Sequence, residues 1–534
     1  MRQIDTEIAI IGGGTGGVAA AVAALRSGRR VVLTEQYAWL GGQFTSQAVP
    51  PDEHSWVEQF GVTATYRALR ESIRQIYRSS YPLTIRARSD SRLNPGAGRV
   101  SKLCHEPRVA VAAIDLMLAP YLFNGQLTLL QPYSPVAATT ERDHIVAVEV
   151  APPGGSADHV VTAQYFLDAT ETGELLRLAS AEYVTGAEAH SDTGEQHAPM
   201  QANPMNMQAI TYCFAVDHVD GDHTIDRPEM YDFWRAYEPS FCGGPLLSWS
   251  APDPRTLELA TRTFIPNPQG SVSDSANYQG AEAGDKDLWL FRRILARENF
   301  AEGFYASDIT LVNWPQVDYF VAPVIDVPDA DRRLGEAKQL SLSMLYWMQT
   351  EARRADGRCG LPGLRLRPDV VGTEDGLAQA PYIRESRRII SEYRIVEQDL
   401  ALDARGDRGA VKYPDSVGIG MYRIDLHPST GGDNYIDVAS SPFQIPLGAL
   451  IPVRIENLLP AAKNIGTTHV TNGCYRLHPV EWNVGEVAGE LAAHCLGLGI
   501  PPRAVRGSSS RMADFQRRLD ARGIERDWPK VTGY

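Results

Sequence analysis

The sequence predicts an α/β protein: a domain built on a parallel sheet, with an inserted α+β region. Three observations lead there. Short apolar runs at residues 7–11 and 30–34 flank an alanine-rich stretch at 18–25, which reads as strand, helix, strand. Gly12-Gly13-Gly14-Thr15-Gly16-Gly17 fills the joint between the first strand and the helix. The 534 residues exceed what one hydrophobic core ordinarily holds, and from about 185 to 330 the chain is rich in Asp, Pro, Ser, Tyr and Trp with weak periodicity.

In chain order, residues 57–77 place Phe60, Tyr66, Leu69, Ile73 and Ile76 near helical spacing. A loop carrying Arg86, Arg88, Arg92, Arg99 and Lys102 follows, then a helix over 107–123. Residues 127–150 alternate in short β-like runs, and 160–169 form a strand returning to the parallel sheet. An apolar stripe through Leu334, Ala337, Leu340, Leu342, Leu345 and Met348 predicts a long helix over 331–355. A strand-turn-helix occupies 457–496, its helix beginning near Glu481. The expected organisation is a nucleotide-binding domain, first part, over 1–185, a substrate or cap region over 186–360, a mixed substrate region and nucleotide-domain return over 361–500, and an appendage over 501–534.

Composition removes several function classes. A net charge of -14 disfavours nucleic acid, because binding polyphosphate requires clustered Lys and Arg. Six scattered cysteines without a CxxC pair indicate neither a zinc site nor a dithiol redox centre, so no metal is expected. No segment approaches the roughly 20 apolar residues of a membrane span, and no leader precedes the first strand. A soluble cytoplasmic enzyme acting on a small molecule, in an unspecified oligomeric state, is the expectation.

The glycine motif carries the chemistry. Gly12 permits a tight turn, Gly14 lets backbone approach a pyrophosphate, and Gly17 lets the helix pack against the strand, the pattern of a Rossmann-type dinucleotide site. Glu35, at the end of the second strand, is placed to accept from ribose hydroxyls. A second glycine pair, in Trp39-Leu40-Gly41-Gly42-Gln43, gives a second backbone contact that suits FAD rather than NAD. Thr15, Gly16, Gln36 and Gln43 flank these positions and complete the N-terminal cofactor set.

On these motifs the chain resembles the FAD-dependent oxidoreductases of the glutathione reductase 2 type, and more narrowly the FAD_oxidored family. The resemblance implies that Gly12, Gly14, Gly17, Glu35, Gly41 and Gly42 bind FAD, and that a strand ending near Val136 passes the adenine. Phe166-Leu167-Asp168-Ala169-Thr170 resembles the strand returning to the flavin, usually followed by Gly-Asp-Gly. Here Glu171-Thr172-Gly173 follows, so the cofactor roles carry over to Ala169 and Thr170 alone. Residues 457–464 resemble the last flavin-binding strand, where relatives usually have Gly-Arg or Gly-Asp. This chain has Lys463-Asn464, and Asn464 is a candidate to bond a phosphate or ribityl hydroxyl.

His427, His469 and His478 are candidate acid-base residues, since oxidising a carbon centre requires proton removal and imidazole is matched to neutral pH. Arg476 and Arg384 are candidates to bind a substrate carboxylate or oxyanion, with salt bridges as the alternative use. Cys104-His105 precedes a helix and invites the question of covalent flavin attachment, for which no spacing argues. Trp234, Trp249, Trp289 and Trp314 either line a substrate cavity or build a core. The implied function is an FAD-dependent oxidoreductase taking hydride from a small organic substrate, with oxygen or another acceptor reoxidising the flavin. A flavin monooxygenase or halogenase, and a non-catalytic flavin-binding protein, remain open at this stage.

Overall fold

A computed structural model describes residues 1–272, 286–354 and 356–534. β1 (Arg2–Asp5) leads into β2 (Ile8–Ile11), whose four residues are all buried, which is why it reads as a continuous apolar run. α1 (Thr15–Arg26) and β3 (Val31–Thr34) complete the expected βαβ unit. α2 (Ala64–Ser80) and α3 (Pro107–Phe123) precede β4 (Leu127–Leu130). β5 (Ser134–Glu141), β6 (His144–Ala151) and β7 (His159–Thr162) follow, and β8 (Tyr165–Asp168) returns to the core.

The middle of the chain contributes β9 (Phe214–His218), β10 (Arg293–Leu295), β11 (Ile309–Val312), α4 (Ala330–Thr350) and β12 (Leu364–Leu366). The last part contributes β13 (Leu458–Pro460), α5 (His469–Tyr475), α6 (His478–Leu498) and α7 (Ser509–Arg522).

A five-stranded sheet in the order β13-β8-β2-β3-β4 is parallel throughout, so strands about 450 residues apart in sequence become near neighbours in one sheet. Beside it, β1-β7-β6-β5 makes a second sheet, and β10-β11-β9-β12 an antiparallel third. This is the Rossmann-type α/β architecture expected.

α1 and α6 cross backbone to backbone. A Cβ on Gly485 would lie 2.0 Å from the Gly16 carbonyl oxygen, and one on Gly489 2.3 Å from that of Ala20. This contact draws the C-terminal helix onto the N-terminal glycine turn. A second core forms around β9, β11 and α4, where Trp234, Trp289 and Trp314 are buried with Leu340, Met344 and Leu345. Those tryptophans therefore build a core.

Several boundaries shift for physical reasons. α2 starts at 64 rather than 57, because Thr63 caps it by accepting from the Tyr66 N–H. The strand expected over 160–169 breaks into β7 and β8, which belong to different sheets. α4 ends at Thr350 rather than 355. α6 starts three residues before Glu481, with Pro479 in its first turn, where its missing N–H costs nothing. Arg86 and Arg88, read as loop, lie on a helical turn, Ile85–Ser89, capped by Thr84. No helix among the described residues is long and apolar enough to cross a membrane.

Candidate functional site

At the carboxyl ends of β2, β3 and β8 lies a cleft lined by Gly12, Gly14, Glu35, Gln36, Gly42, Ala169, Thr170 and Glu171 among others. Gly12 turns there with φ +103°, and a Cβ would sit 2.4 Å from the Ala169 carbonyl oxygen, so only glycine fits. The Gly12 N–H donates to Thr34 Oγ1 (3.0 Å) and the Gly13 N–H to Glu35 Oε2 (3.1 Å), tying the turn to the end of β3. Gly41 donates its N–H to the Gly13 carbonyl (2.8 Å), and Thr15 Oγ1 donates to the Gly41 carbonyl (3.0 Å). The two glycine motifs are thereby one structure. α1 begins beyond Gly14 without a side-chain cap, leaving first-turn donors for a ligand.

Charge is concentrated here. Glu171 Oε1 would lie 2.6 Å from a Cβ on Gly14 and 2.8 Å from one on Gly42, so this carboxylate reaches between the two glycine turns. Fully buried Lys463 is ion-paired to Glu171 and lies 3.7 Å from Glu481 Oε2. Gln43 Nε2 donates to Glu481 Oε2 (2.5 Å) and to the Arg476 carbonyl (2.9 Å). Burial, reinforced by the charge of Glu171, pushes the Glu35 carboxyl up to about 8. Burial likewise raises Glu481 to about 7, with Lys463 pulling against it and Glu171 adding to it. Lys463 is raised above the ordinary lysine value because Glu171 and Glu481 outweigh its burial.

These residues fit FAD. Gln43 Oε1, both amide atoms of Gln47, Glu171 Oε1 and Glu481 Oε1 are buried without partners, and buried polar atoms normally have them. The glycine turns offer the close backbone approach that a pyrophosphate needs, and Glu35 faces the same cavity with a carboxylate for ribose hydroxyls.

Three cofactor assignments change. Val136 is 46% exposed and stays outside the cavity, which Tyr133, Ser134 and Pro135 line instead, because β5 turns outward after Pro135. Both ends of Asn464 are engaged: its Oδ1 accepts from the Ala462 N–H (3.2 Å) and its Nδ2 donates to the Asp168 carbonyl (3.0 Å). It shapes the loop after β13. Gly16 is a packing residue, since a Cβ would fall 1.8 Å from the Ala461 carbonyl oxygen, and Gly17 likewise approaches the Gly12 carbonyl.

A second cluster centres on Tyr382. The Arg384 guanidinium lies 4.7 Å over its ring, and Arg476 Nη1 donates to its hydroxyl (2.6 Å). Arg476 Nη2 also donates to Asp425 (3.2 Å), and Arg384 pairs with Asp318 (2.9 Å). His427 joins the two aspartates, its Nδ1 2.6 Å from Asp318 Oδ2 and its Nε2 3.6 Å from Asp425 Oδ2. Burial opposes ionisation of Asp425, but His427 and Arg476 hold it well below the usual carboxylate range. Arg292 belongs to the same neighbourhood: its charge acts on Tyr382 and Tyr422, and its contact to Asp52 is long, at 3.4 Å. Nε of Arg384 and Arg476, and both Nε and Nη1 of Arg292, are buried without partners.

His469 stands apart from that cluster. Its Nδ1 lies 2.9 Å from Glu385 Oε2, and Glu385 is ion-paired to buried Arg388. Burial disfavours the Glu385 carboxylate, yet His469 and Arg388 bring it down to about 2, and Glu385 in turn raises His469 against its own burial. His478 Nδ1 accepts from the Asp52 N–H (3.1 Å), and its ring meets Phe44 edge-on at 4.7 Å. Burial lowers His478 to about 3, so it stays neutral and is no acid-base group near neutral pH. Cys104 and His105 are buried as well, with burial pushing the thiol up to about 12 and the imidazole down to about 4, which keeps both unreactive.

Sequence reasoning missed Arg292, Asp52 and Tyr382 as site residues and saw Glu171 and Lys463 only as departures from the pattern. Asp52 and Arg292 lie 240 residues apart and carry no motif, so only the packing of β10 beside the glycine-rich end brings them together.

A family model described as FAD dependent oxidoreductase matches residues 7–519, and the chain belongs to that family. No curated protein matches this chain. Among solved structures it is similar to L-proline dehydrogenase from P. horikoshii, at 14% identity over 35% of this chain and 24% of that one, with a TM-score of 0.19. It is also similar to the myxobacterial chondrochloren halogenase CndH, at 15% identity over 40% and 43% of the two chains, with a TM-score of 0.20. With Thermovibrio ammonificans THI4 the values are 17% identity, 35% and 67% coverage, and a TM-score of 0.23. The chain thus spans about a quarter of the first of these structures and under half of the second.

Proposed function

We propose that this flavoprotein is a dehydrogenase or oxidase that takes hydride from a small organic acid. The observation that carries this reading is the convergence of Arg292, Arg384 and Arg476 on Tyr382 with guanidinium N–H groups left unpartnered in a buried setting. A buried donor without an acceptor costs about 1–3 kcal/mol, a cost that a bound carboxylate would remove. FAD, when bound, supplies the hydride acceptor and hands the electrons to oxygen or another acceptor.

The chain's own residues divide the remaining work. Arg292, with two free donors, anchors the carboxylate. Arg384 and Arg476 are held by Asp318 and Asp425 and fix the Tyr382 ring between them. Neutral His427 donates Nδ1–H to Asp318 and takes on Nε2 the proton released as the carbon is oxidised, and the imidazolium so formed is held between Asp318 and Asp425. His469, held positive by Glu385, contributes a fixed charge rather than the base.

The test is anaerobic mixing with matched pairs of organic acids and their amides, read as flavin bleaching. At least one acid is expected to bleach the flavin while its amide does not. Bleaching by neutral substrates only, or by none that dithionite can replace, contradicts the reading.

A further inference from the structure

The two places where the sequence departs from its family's pattern, Glu171 and Lys463, are ion-paired to one another. They meet at the point both glycine motifs address. Glu171 Oε1 reaches the space that a Cβ on Gly14 or Gly42 would enter, beside the first N–H groups of α1, and no hydrogen-bond donor satisfies it. A carboxylate there lies in the approach a phosphate would use at a helix N-terminus. The two partners differ in freedom. Glu171 borders the cavity and is partly exposed, whereas Lys463 is fully buried between Glu171 and Glu481.

We infer that Lys463 is the cation that holds the FAD pyrophosphate, and that Glu171 occupies this anion position until FAD displaces it. Glu171 and a pyrophosphate cannot share the space between Gly14 and Gly42, and their like charges repel. Binding therefore exchanges one anion for another at Lys463. Glu171 leaves the space between Gly14 and Gly42, and Lys463, which burial keeps in place, changes partner. Without Glu171, buried Lys463 would keep only Glu481, 3.7 Å away and itself raised to about 7, so the Glu171 carboxylate helps preserve the folded apoprotein. Glu171 accordingly lowers FAD affinity while stabilising the empty site. Lys463, by contrast, favours ligands bearing a pyrophosphate over shorter flavins, which have nothing to offer it.

The experiment is titration of deflavinated full-length protein with FAD and, separately, with riboflavin, which lacks the pyrophosphate. Glu171→Gln is expected to bind FAD about tenfold more tightly, with riboflavin affinity unchanged, and to lower the melting temperature of the apoprotein. Lys463→Met is expected to lose at least tenfold in FAD affinity with riboflavin again unchanged, and Lys463→Arg to retain the preference. Glu171→Gln is near-isosteric and carries the test even if Lys463→Met does not fold. FAD affinity that is unchanged or weakened in Glu171→Gln would overturn the exchange. Equal effects on FAD and riboflavin would overturn the assignment of Lys463.

Discussion

The two charged clusters of this flavoprotein are balanced differently. Around the glycine turns, the carboxyls of Glu35, Glu171 and Glu481 gather near the buried cation Lys463, and burial pushes Glu35 up to about 8 and Glu481 to about 7. Around Tyr382, three guanidinium groups meet Asp52, Asp318 and Asp425, and the formal charges cancel. The first cluster contains ionisable groups forced from their ordinary values. The second holds paired charges whose remaining donors point at no acceptor. One end is set to rearrange when its ligand arrives, and the other is already organised to receive one.

The largest expected effect lies in the cofactor cradle. Gly12→Ala combines a positive φ with a Cβ 2.4 Å from backbone, and strain of about 1–2 kcal/mol plus overpacking of about 1–3 kcal/mol should leave little folded, flavin-loaded protein. Denaturant unfolding and the flavin content of purified protein check it. Next is Arg388→Ala, which leaves Glu188 buried without its cation and Glu385 with His469 alone, and should cost about 3–5 kcal/mol of stability.

In the second cluster, Arg292→Gln should weaken binding of an acid substrate about 100-fold while leaving flavin content and melting temperature nearly unchanged. Steady-state kinetics beside a thermal scan distinguish the two. A loss of flavin in that variant would instead join the two clusters into one.

Acid pH should destabilise the protein in two stages. His478 and His105 titrate near 6.5 when unfolded and at about 3 and about 4 when folded. Between pH 6.5 and about 4 these two histidines bind more protons in the unfolded chain and lower stability on acidification, a contribution opposed above about pH 4.5 by Glu35 and Glu481, whose raised carboxyls bind more protons in the folded state. Glu385, depressed from 4.5 to about 2, stabilises the fold above its unfolded value and loses that contribution as pH falls toward 2. His478→Asn should flatten the first stage only, and Glu385→Gln the second only, in unfolding curves measured across pH. The smallest effect is expected from Val136→Ala, within about 0.5 kcal/mol and without change in FAD affinity, because the side chain is exposed.

The cofactor half was legible because its physics is local. A tight turn, a close backbone approach and a helix N-terminus each demand glycine within a few residues, and Gly12, Gly14, Gly41 and Gly42 record those demands. α3 was read to the residue because Pro107 marks its start. The second cluster was legible only in part. His427, Arg384 and Arg476 were named one by one, but Arg292, Tyr382 and Asp52, which come from separate segments and are ordinary residues in their own surroundings, were not, and nothing in the sequence joined them into one site. Asn464, whose side chain bonds the backbone of Ala462 and Asp168, has a local role in the loop after β13 that its sequence position did not reveal.

The central claim is that the guanidinium cluster selects an acid substrate for oxidation by the bound flavin. It is tested most directly by anaerobic stopped-flow reduction of the wild type and Arg292→Gln with one organic acid and its amide. The account predicts that the wild type is reduced by the acid at least about 100-fold faster than by the amide, and that Arg292→Gln loses most of this preference. A preference that survives in Arg292→Gln, or an amide that reduces the wild type as fast as the acid, would contradict it.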